Sequence, residues 1–431
     1  MNEYDSNRIL DLTKKLNYIV TKNIKYADCY ILNTCHIREK ATDKVYHEVG
    51  RVKKNFRNAK KPIVLIVGCV AQAEGEVLLR KEKYIDAVIG PQSYHEINKI
   101  ILDLENKKQK INSTEFEVIE KFDLLNLTKN SNSKTSSFLT IQEGCDKFCK
   151  FCVVPYTRGP EFSRSSSEII TEAKQLIMNG SKEIILLGQN VNAYKYKNQR
   201  LSDLLMSLSE IKDLHRIRYT TSHPKDFTDD LIEAHKECKK LMPLLHLPVQ
   251  SGSNKILKSM NRKHTIEEYL NLIDRLKVKN SSIKFSSDFI IAYPGETLED
   301  FEKTVSLMKK IEFINSYSFI FSPRPGTPAA NLNMVENRIA KERLIIFQKV
   351  AEDIKREYRQ KLINSTARVL FENKTRDNNG YFGRDEYFNS VIVKSNENII
   401  GVIKTVKIKN CNQNTLFGEI ISQDKTREYA A

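Results

Sequence analysis

The chain carries short, continuous apolar runs alternating with stretches whose apolar positions recur every three or four residues. Cys29–Cys35 and Pro62–Cys69 are runs of the first kind. The unbroken Ile-Val-Leu-Ile-Val core of the second predicts a strand buried on both faces. With amphipathic helical segments between them, the first stretch of the chain, residues 1–127, reads as a parallel α/β unit. A non-periodic polar run, Thr128–Ser137, reads as a linker. Beyond it, strands are expected near Phe138–Gln142, Glu183–Leu187, Arg216–Thr220, Leu244–Leu247, Lys284–Ala292 and Tyr317–Phe321. Helical segments such as Ser165–Asn179 and Thr265–Lys279 separate them. Six such units over residues 135–365 predict a barrel or partial barrel, whose chemistry would lie in the loops after the strands. A charged helical pattern over Asn337–Lys361 predicts an exposed closing helix. Residues 366–431 change to short strands and turns at Ala367–Glu372, Ser390–Val393, Ile399–Lys409 and Leu416–Ile421, a small all-β module.

Composition narrows the setting. At 431 residues with 40% hydrophobic residues, the chain is long enough for two to four cores of ordinary size. Eight cysteines are too few for a disulfide scaffold, and three of them cluster, which suits a reducing cytoplasm. No apolar run approaches the length needed to span a bilayer, so a soluble protein is expected. The formal net charge of +16 suits a polyanionic partner, but the excess is spread along the chain and is weak evidence by itself.

The strongest chemical signal is Cys145-x-x-x-Cys149-x-x-Cys152, directly after the first predicted strand of the central unit. Three thiolates in one loop can hold three irons of a [4Fe-4S] cube and leave the fourth open. Buried thiols or part of a zinc site are the alternatives, although no second Cys-x-x-Cys pair or nearby histidine completes a zinc site. Cys35 and Cys69 fall where the two N-terminal strands end, the edge at which open α/β sheets bind ligands. Cys29, at the other end of its strand, reads as a small apolar filler.

The cysteine loop with Phe151 before its third cysteine, continuing as Val153-Val-Pro-Tyr-Thr-Arg-Gly-Pro-Glu-Phe-Ser-Arg164, resembles the radical S-adenosylmethionine (SAM) methylthiotransferase family. The likeness extends through Asn33–Ala41, Gly68–Gln72, Leu187–Tyr194, Thr220–Pro224, His246–Ser253, Asp288–Glu296 and Tyr317–Thr327. It implies an N-terminal α/β domain with an auxiliary [4Fe-4S] cluster, a central radical SAM partial (β/α)6 barrel, and a C-terminal TRAM-type β-barrel that binds RNA. It also implies an enzyme that adds a methylthio group to C2 of N6-isopentenyladenosine at position 37 of tRNA, one SAM being the methyl source and another the radical source. A reductant such as flavodoxin or ferredoxin, a sulfur donor, and a monomeric state go with that reading. Threonylcarbamoyl-adenosine in tRNA, or an aspartate of a ribosomal protein, are the alternative substrates. A chain that only binds tRNA is the alternative from another class.

Carried onto this sequence, the resemblance makes Cys145, Cys149 and Cys152 ligands of the SAM-binding cluster and Cys35 and Cys69 ligands of the auxiliary one. Phe151, Gly188 and Gln189 would face SAM, although an aromatic can simply fill the barrel mouth and a glycine can simply make a turn. Arg158 and Arg164 would clamp a carboxylate or phosphate of the substrate, or else form surface ion pairs. Tyr381, Phe382, Tyr387 and Phe388 would stack on bases or fill the β core. One departure stands out. The family opens on a strand followed by Gly-Cys-Gln-Met-Asn, whose cysteine is the third auxiliary ligand, whereas this chain opens at Met1-Asn-Glu-Tyr-Asp-Ser-Asn7. The leading expectation is a start codon upstream of Met1; a true truncation, or substitution by Cys29, are the alternatives. As written, the chain is expected to hold the auxiliary cluster weakly or not at all.

Overall fold

The structure is a computed structural model, and it describes residues 1–35, 40–107, 109–115 and 134–421. The segment 36–39 of the Asn33–Ala41 likeness, most of the expected linker and the last ten residues lie outside the described residues.

The N-terminal unit contains α1 (Asn2–Thr13), β1 (Cys29–Thr34), α2 (Lys40–Asn55), β2 (Ile63–Gly68), α3 (Cys69–Lys81), β3 (Ala87–Ile89), α4 (Ile97–Lys107) and β4 (Ile111–Ser113). The strands form a parallel sheet in the order β1-β2-β3-β4. Strand β2 shows why its apolar run is unbroken. Leu65 and Val67 pack on one face with Ile9, Leu12, Ile97 and Ile101, whereas Val64 and Ile66 pack on the other with Val45, Val49 and Leu78. The period of two sends alternate side chains into two cores, so neither face tolerates a polar residue.

The central unit contains β5 (Ser136–Thr140), α5 (Val154–Arg158), α6 (Ser166–Met178), β6 (Glu183–Leu187), α7 (Leu201–Ser209), β7 (Arg216–Tyr219), α8 (Asp229–Glu237), β8 (Leu244–His246), α9 (Asn254–Ser259), α10 (Ile266–Lys279), β9 (Lys284–Ile291), α11 (Leu298–Ile311) and β10 (Asn315–Ile320). The six barrel strands run parallel, in two ladders, β7-β6-β5 and β8-β9-β10. A parallel bridge between Ile217 and Leu241 joins the two, and one apolar core spans both. This is the expected partial barrel. Reciprocal capping boxes at Thr265/Glu268 and Thr297/Asp300 fix where α10 and α11 start by satisfying their first N–H groups.

Helix α12 (Asn337–Lys361) has the expected bounds but is not merely an exposed strut. Phe347 is fully buried and its ring lies 4.7 Å from that of Phe289 in β9. A narrow apolar stripe, hidden among charges, docks the helix on the barrel. The C-terminal strands are β11 (Thr366–Lys374), β12 (Tyr381–Arg384), β13 (Ser390–Val393), β14 (Ile403–Cys411) and β15 (Thr415–Ile420), closed in the order β11-β12-β13-β15-β14. Closure removes the exposed edges that so short a sheet would otherwise leave. Among the described residues no helix is long and apolar enough to cross a membrane.

Candidate iron–sulfur and SAM site

The cysteine loop leaves the carboxyl end of β5 and is held from three sides. Lys150 N–H donates to Met260 O (2.9 Å), and Lys150 O accepts from Ala329 N–H (3.0 Å). Cys145 N–H donates to Gly159 O (3.2 Å), and Asn261 Nδ2 donates to Phe148 O (2.9 Å). Cys149 is buried, Cys145 and Cys152 are half-buried, and all three are free thiols. Burial pushes Cys145 up to about 12 and Cys152 up to about 11, and the neighbouring cysteines add to both shifts. Such thiols keep their protons until a cation displaces them, so metal binding here would release protons. Among the described residues no three His, Cys, Asp or Glu side chains converge on the point a single ion would occupy. Three thiols of one loop can each take a different iron of a cube, whereas a structural zinc site closes with four ligands, so the donor set fits a cluster better than it fits zinc.

Gly188 and Gln189 follow β6 and tie the loop to its neighbour. Gln142 Oε1 accepts from the N–H groups of Gln189 and Asn190, both at 3.0 Å, while Gln189 Oε1 accepts from Gly144 N–H at 2.8 Å. A side chain on Gly188 would meet Gln142 Oε1 at 2.7 Å, so glycine is required by close approach rather than by a turn. Phe151 is partly buried and packs on the cluster formed by Ile256, Met260, Tyr293, Phe321 and Ala329, beside the loop it belongs to.

Residues not singled out from the sequence complete this wall. Arg262 Nη1 lies 3.6 Å from Cys149 Sγ, and its Nη2 donates to Pro248 O (2.7 Å). His223 and His264 are enclosed, with ring centroids 5.7 Å apart. Nε2 of His223 and both ring nitrogens of His264 have no protein partner. Burial, reinforced by Arg262, holds His264 down to about 3 and His223 lower still, so both rings are neutral near pH 7. The legible trace of this group was His223 within the segment Thr220–Pro224.

Cys35 and Cys69 meet as neighbours. Their preceding residues, Thr34 and Gly68, are register partners in the parallel pair β1–β2, so the two cysteines emerge side by side. Cys69 is the first residue of α3 rather than a loop residue. Cys29 pairs with Ile63 at the opposite end of β1, and burial pushes its thiol up to about 12. The described residues thus supply two adjacent thiols at this point, with Cys29 a full strand away.

Three stretches match known family models: residues 1–90 the Uncharacterized protein family UPF0004, residues 139–308 the Radical SAM superfamily, and residues 360–421 the TRAM domain. A tRNA-2-methylthio-N(6)-dimethylallyladenosine synthase from Pelagibacter ubique (strain HTCC1062) is 58% identical over 431 residues, covering 99% of this chain and 97% of that protein. One of the same name from Rickettsia akari (strain Hartford) is 47% identical, covering 98% and 97%. The chain belongs to the tRNA-2-methylthio-N(6)-dimethylallyladenosine synthase family. A solved radical SAM methyltransferase, TsrM from Kitasatospora setae, shares the fold at a TM-score of 0.57 and 12% identity, over 76% of this chain and 74% of that one.

Against this family background, the expectation for the two arginines changes. Arg158 and Arg164 are neither surface ion pairs nor outward-facing clamps. Arg164 is enclosed and donates to Glu172 (2.9 Å) and to Thr140 O (2.7 Å), with Tyr4 and Arg8 completing the group. Arg158 is equally enclosed, bonded to Asp5 (2.9 Å) and Glu143 (3.3 Å), with Nε 3.4 Å from Cys69 Sγ. Both bind the N-terminal unit of this synthase-family chain to its central barrel, and their guanidinium groups are turned inward. For the aromatic candidates, the packing alternative is the one the structure favours. Tyr381 lies in the core of the C-terminal barrel, Tyr387 Oη donates to Ser282 O across the inter-unit contact (3.0 Å), and Phe388 packs on the central core and on Arg218. Phe382 lies against Arg384 (5.3 Å). Three of the four thus serve packing or docking rather than base stacking.

Proposed function

We infer that this chain is a radical SAM methylthiotransferase that adds a methylthio group to C2 of N6-isopentenyladenosine in tRNA. The observation that carries the reading is the juxtaposition of two cysteine sites, the loop at the end of β5 and the pair at the ends of β1 and β2, with Arg158 reaching from one to the other. A clustered iron–sulfur site with SAM supplies one-electron chemistry able to attack an unactivated aromatic C–H, and a second such site supplies sulfur. Cys145, Cys149 and Cys152 would hold the first, and Cys35 and Cys69 would contribute to the second. Gln142 and Gln189 hold the loop against β6, Gly188 lets it come close, and Phe151 is the apolar wall on which an adenine can rest. Residues 1–127, 135–365 and 366–431 would act as sulfur-site, radical and RNA-binding units. An external reductant, a sulfur donor, a monomeric state and a cytoplasmic setting complete the proposal. Mass spectrometry of digested tRNA, from cells lacking this activity and complemented with the chain, tests it. The 2-methylthio nucleoside is expected with the parent chain and absent with Cys149→Ala. Methylthiolation of threonylcarbamoyl-adenosine instead, or product from Cys149→Ala, would overturn it.

A further inference from the structure

The inner wall of the central barrel carries a polar group that the cysteine sites do not use. In β9, Phe285, Phe289 and Ile291 pack outward into the core shared with Phe313 and Phe347, so Ser286, Asp288 and Ile290 face the lumen. Register places His246 of β8 beside Ser286, and Tyr317 and Phe319 of β10 beside Asp288 and Ile290, on that same face. His246 Nδ1 lies 2.9 Å from Ser286 Oγ, and its Nε2 lies 3.5 Å from Asp288 Oδ2. With its proton on Nε2, the ring accepts from the serine hydroxyl at one nitrogen and steadies the carboxylate at the other. The Tyr317 ring, 6.2 Å from that of His246, is 56% exposed, and the Asp288 side chain is 35% exposed. Neither β5 nor β10 has a second strand partner among the described residues, so the lumen is open between them. The group sits one step below the cysteine loop: Ile290 packs with Phe151, and Pro248, two residues after His246, accepts from Arg262 beside Cys149.

An exposed aromatic face beside a carboxylate, inside a barrel and below the cysteine loop, fits a base taken out of its stack. A carboxylate only accepts, and the edges of N6-isopentenyladenine offer one N–H, at N6, since its ring nitrogens N1, N3 and N7 are acceptors. N6 is carried by the ring carbon next but one to C2, so a contact there leaves C2 uncovered. We propose that Asp288 determines specificity for the target adenine, accepting from its N6–H while the base lies against Tyr317, and that His246, fixed by Ser286, positions the carboxylate. The inference rests on the reading of this chain as an isopentenyladenosine methylthiotransferase and adds the group that selects the base.

The test is fluorescence anisotropy of the full chain, reconstituted anaerobically with iron and sulfide, with labelled anticodon stem-loops at fixed salt. One stem-loop carries N6-isopentenyladenosine beside the anticodon, and a second carries its ether counterpart, in which oxygen replaces the N6–H. The parent chain is expected to bind the first about 10- to 100-fold more tightly, the worth of a hydrogen bond to a charged group. In Asp288→Asn the two affinities should come within about threefold, because the amide can turn its own N–H to the ether oxygen. His246→Ala should lower the ratio, and His246→Gln, whose amide still donates to Asp288, should keep most of it. Equal affinities in the parent chain overturn the inference alone, as does a folded Asp288→Asn chain that keeps the parent's ratio, even if it weakens both stem-loops. Should Asp288→Asn not fold, an unchanged ratio in His246→Ala overturns it in the same way. A third stem-loop, carrying threonylcarbamoyl-adenosine, separates the two claims: tighter binding of it than of the first overturns the functional reading, and the inference with it.

Discussion

The two ends of the central barrel handle polar groups in opposite ways. At the amino ends of β6 and β7, where the C-terminal barrel docks, Arg216 donates to the backbone carbonyls of Arg384 (2.8 Å) and Arg368 (2.6 Å). Arg218 donates to the carbonyls of Glu386 and Asp385 (both 2.8 Å) and to Glu183. At the carboxyl ends, around the cysteine loop, Arg262 Nε, Ser222 Oγ, His223 Nε2 and both nitrogens of His264 are enclosed without a protein partner. Buried polar groups are normally paired, and a concentration of exceptions marks an end built to receive something. At the docking end Arg216 and Arg218 close their hydrogen bonds on carbonyls and a carboxylate of the protein, and the cysteine end leaves several of its groups for water or ligand.

Three perturbations test that contrast. The largest effect is expected where charges are enclosed beside the cysteine end. Arg164→Met removes one of the two guanidinium groups that Glu172 meets, leaving Arg8 and the Tyr4 hydroxyl, and disrupting such an enclosed group should lower stability by about 3–5 kcal/mol, read as a lower urea midpoint. A change under about 1 kcal/mol would mean the group is open to water. Next comes pH. His264 is held down to about 3 in the folded chain against an ordinary 6.5, so the unfolded chain takes up its proton first. Stability is then full above the ordinary value and falls as pH drops through it towards the folded one, by about 2 kcal/mol for this ring near pH 5. Urea midpoints taken near neutrality and near pH 5 should converge in His264→Asn relative to the parent; an unchanged pH slope would sink the assignment. The smallest effect is at the docking end. Arg216→Lys loses one of two carbonyl bonds, about 1 kcal/mol, and should speed proteolysis near Ser365 while leaving bound iron unchanged. Loss of iron there would erase the distinction between the ends.

How much of this the sequence displays depends on distance along the chain. The strands were legible because β2 and its counterparts are continuous apolar runs, and the loop was legible because Cys145, Cys149 and Cys152 are local. Strand β12 was missed because Gly380 and Gly383 break its pattern, although its partners β11 and β13 impose extended geometry on it. The inward roles of Arg158 and Arg164 were hidden because Asp5, Glu143 and Glu172 lie elsewhere in sequence. Glu172 did leave a trace: it falls on the stripe Ile169, Ala173, Leu176, where a charge on an apolar helix face signals a buried partner.

The placement of Cys35 and Cys69 directly after register partners makes their spacing a property of the hydrogen-bond ladder between β1 and β2. A slip of one residue would displace one sulfur by about 3.3 Å and send that strand's alternate side chains into the wrong core. Capture of both thiols by one short bifunctional reagent is therefore a count of molecules whose first two strands have paired in phase, an assay of folding fidelity that needs no substrate.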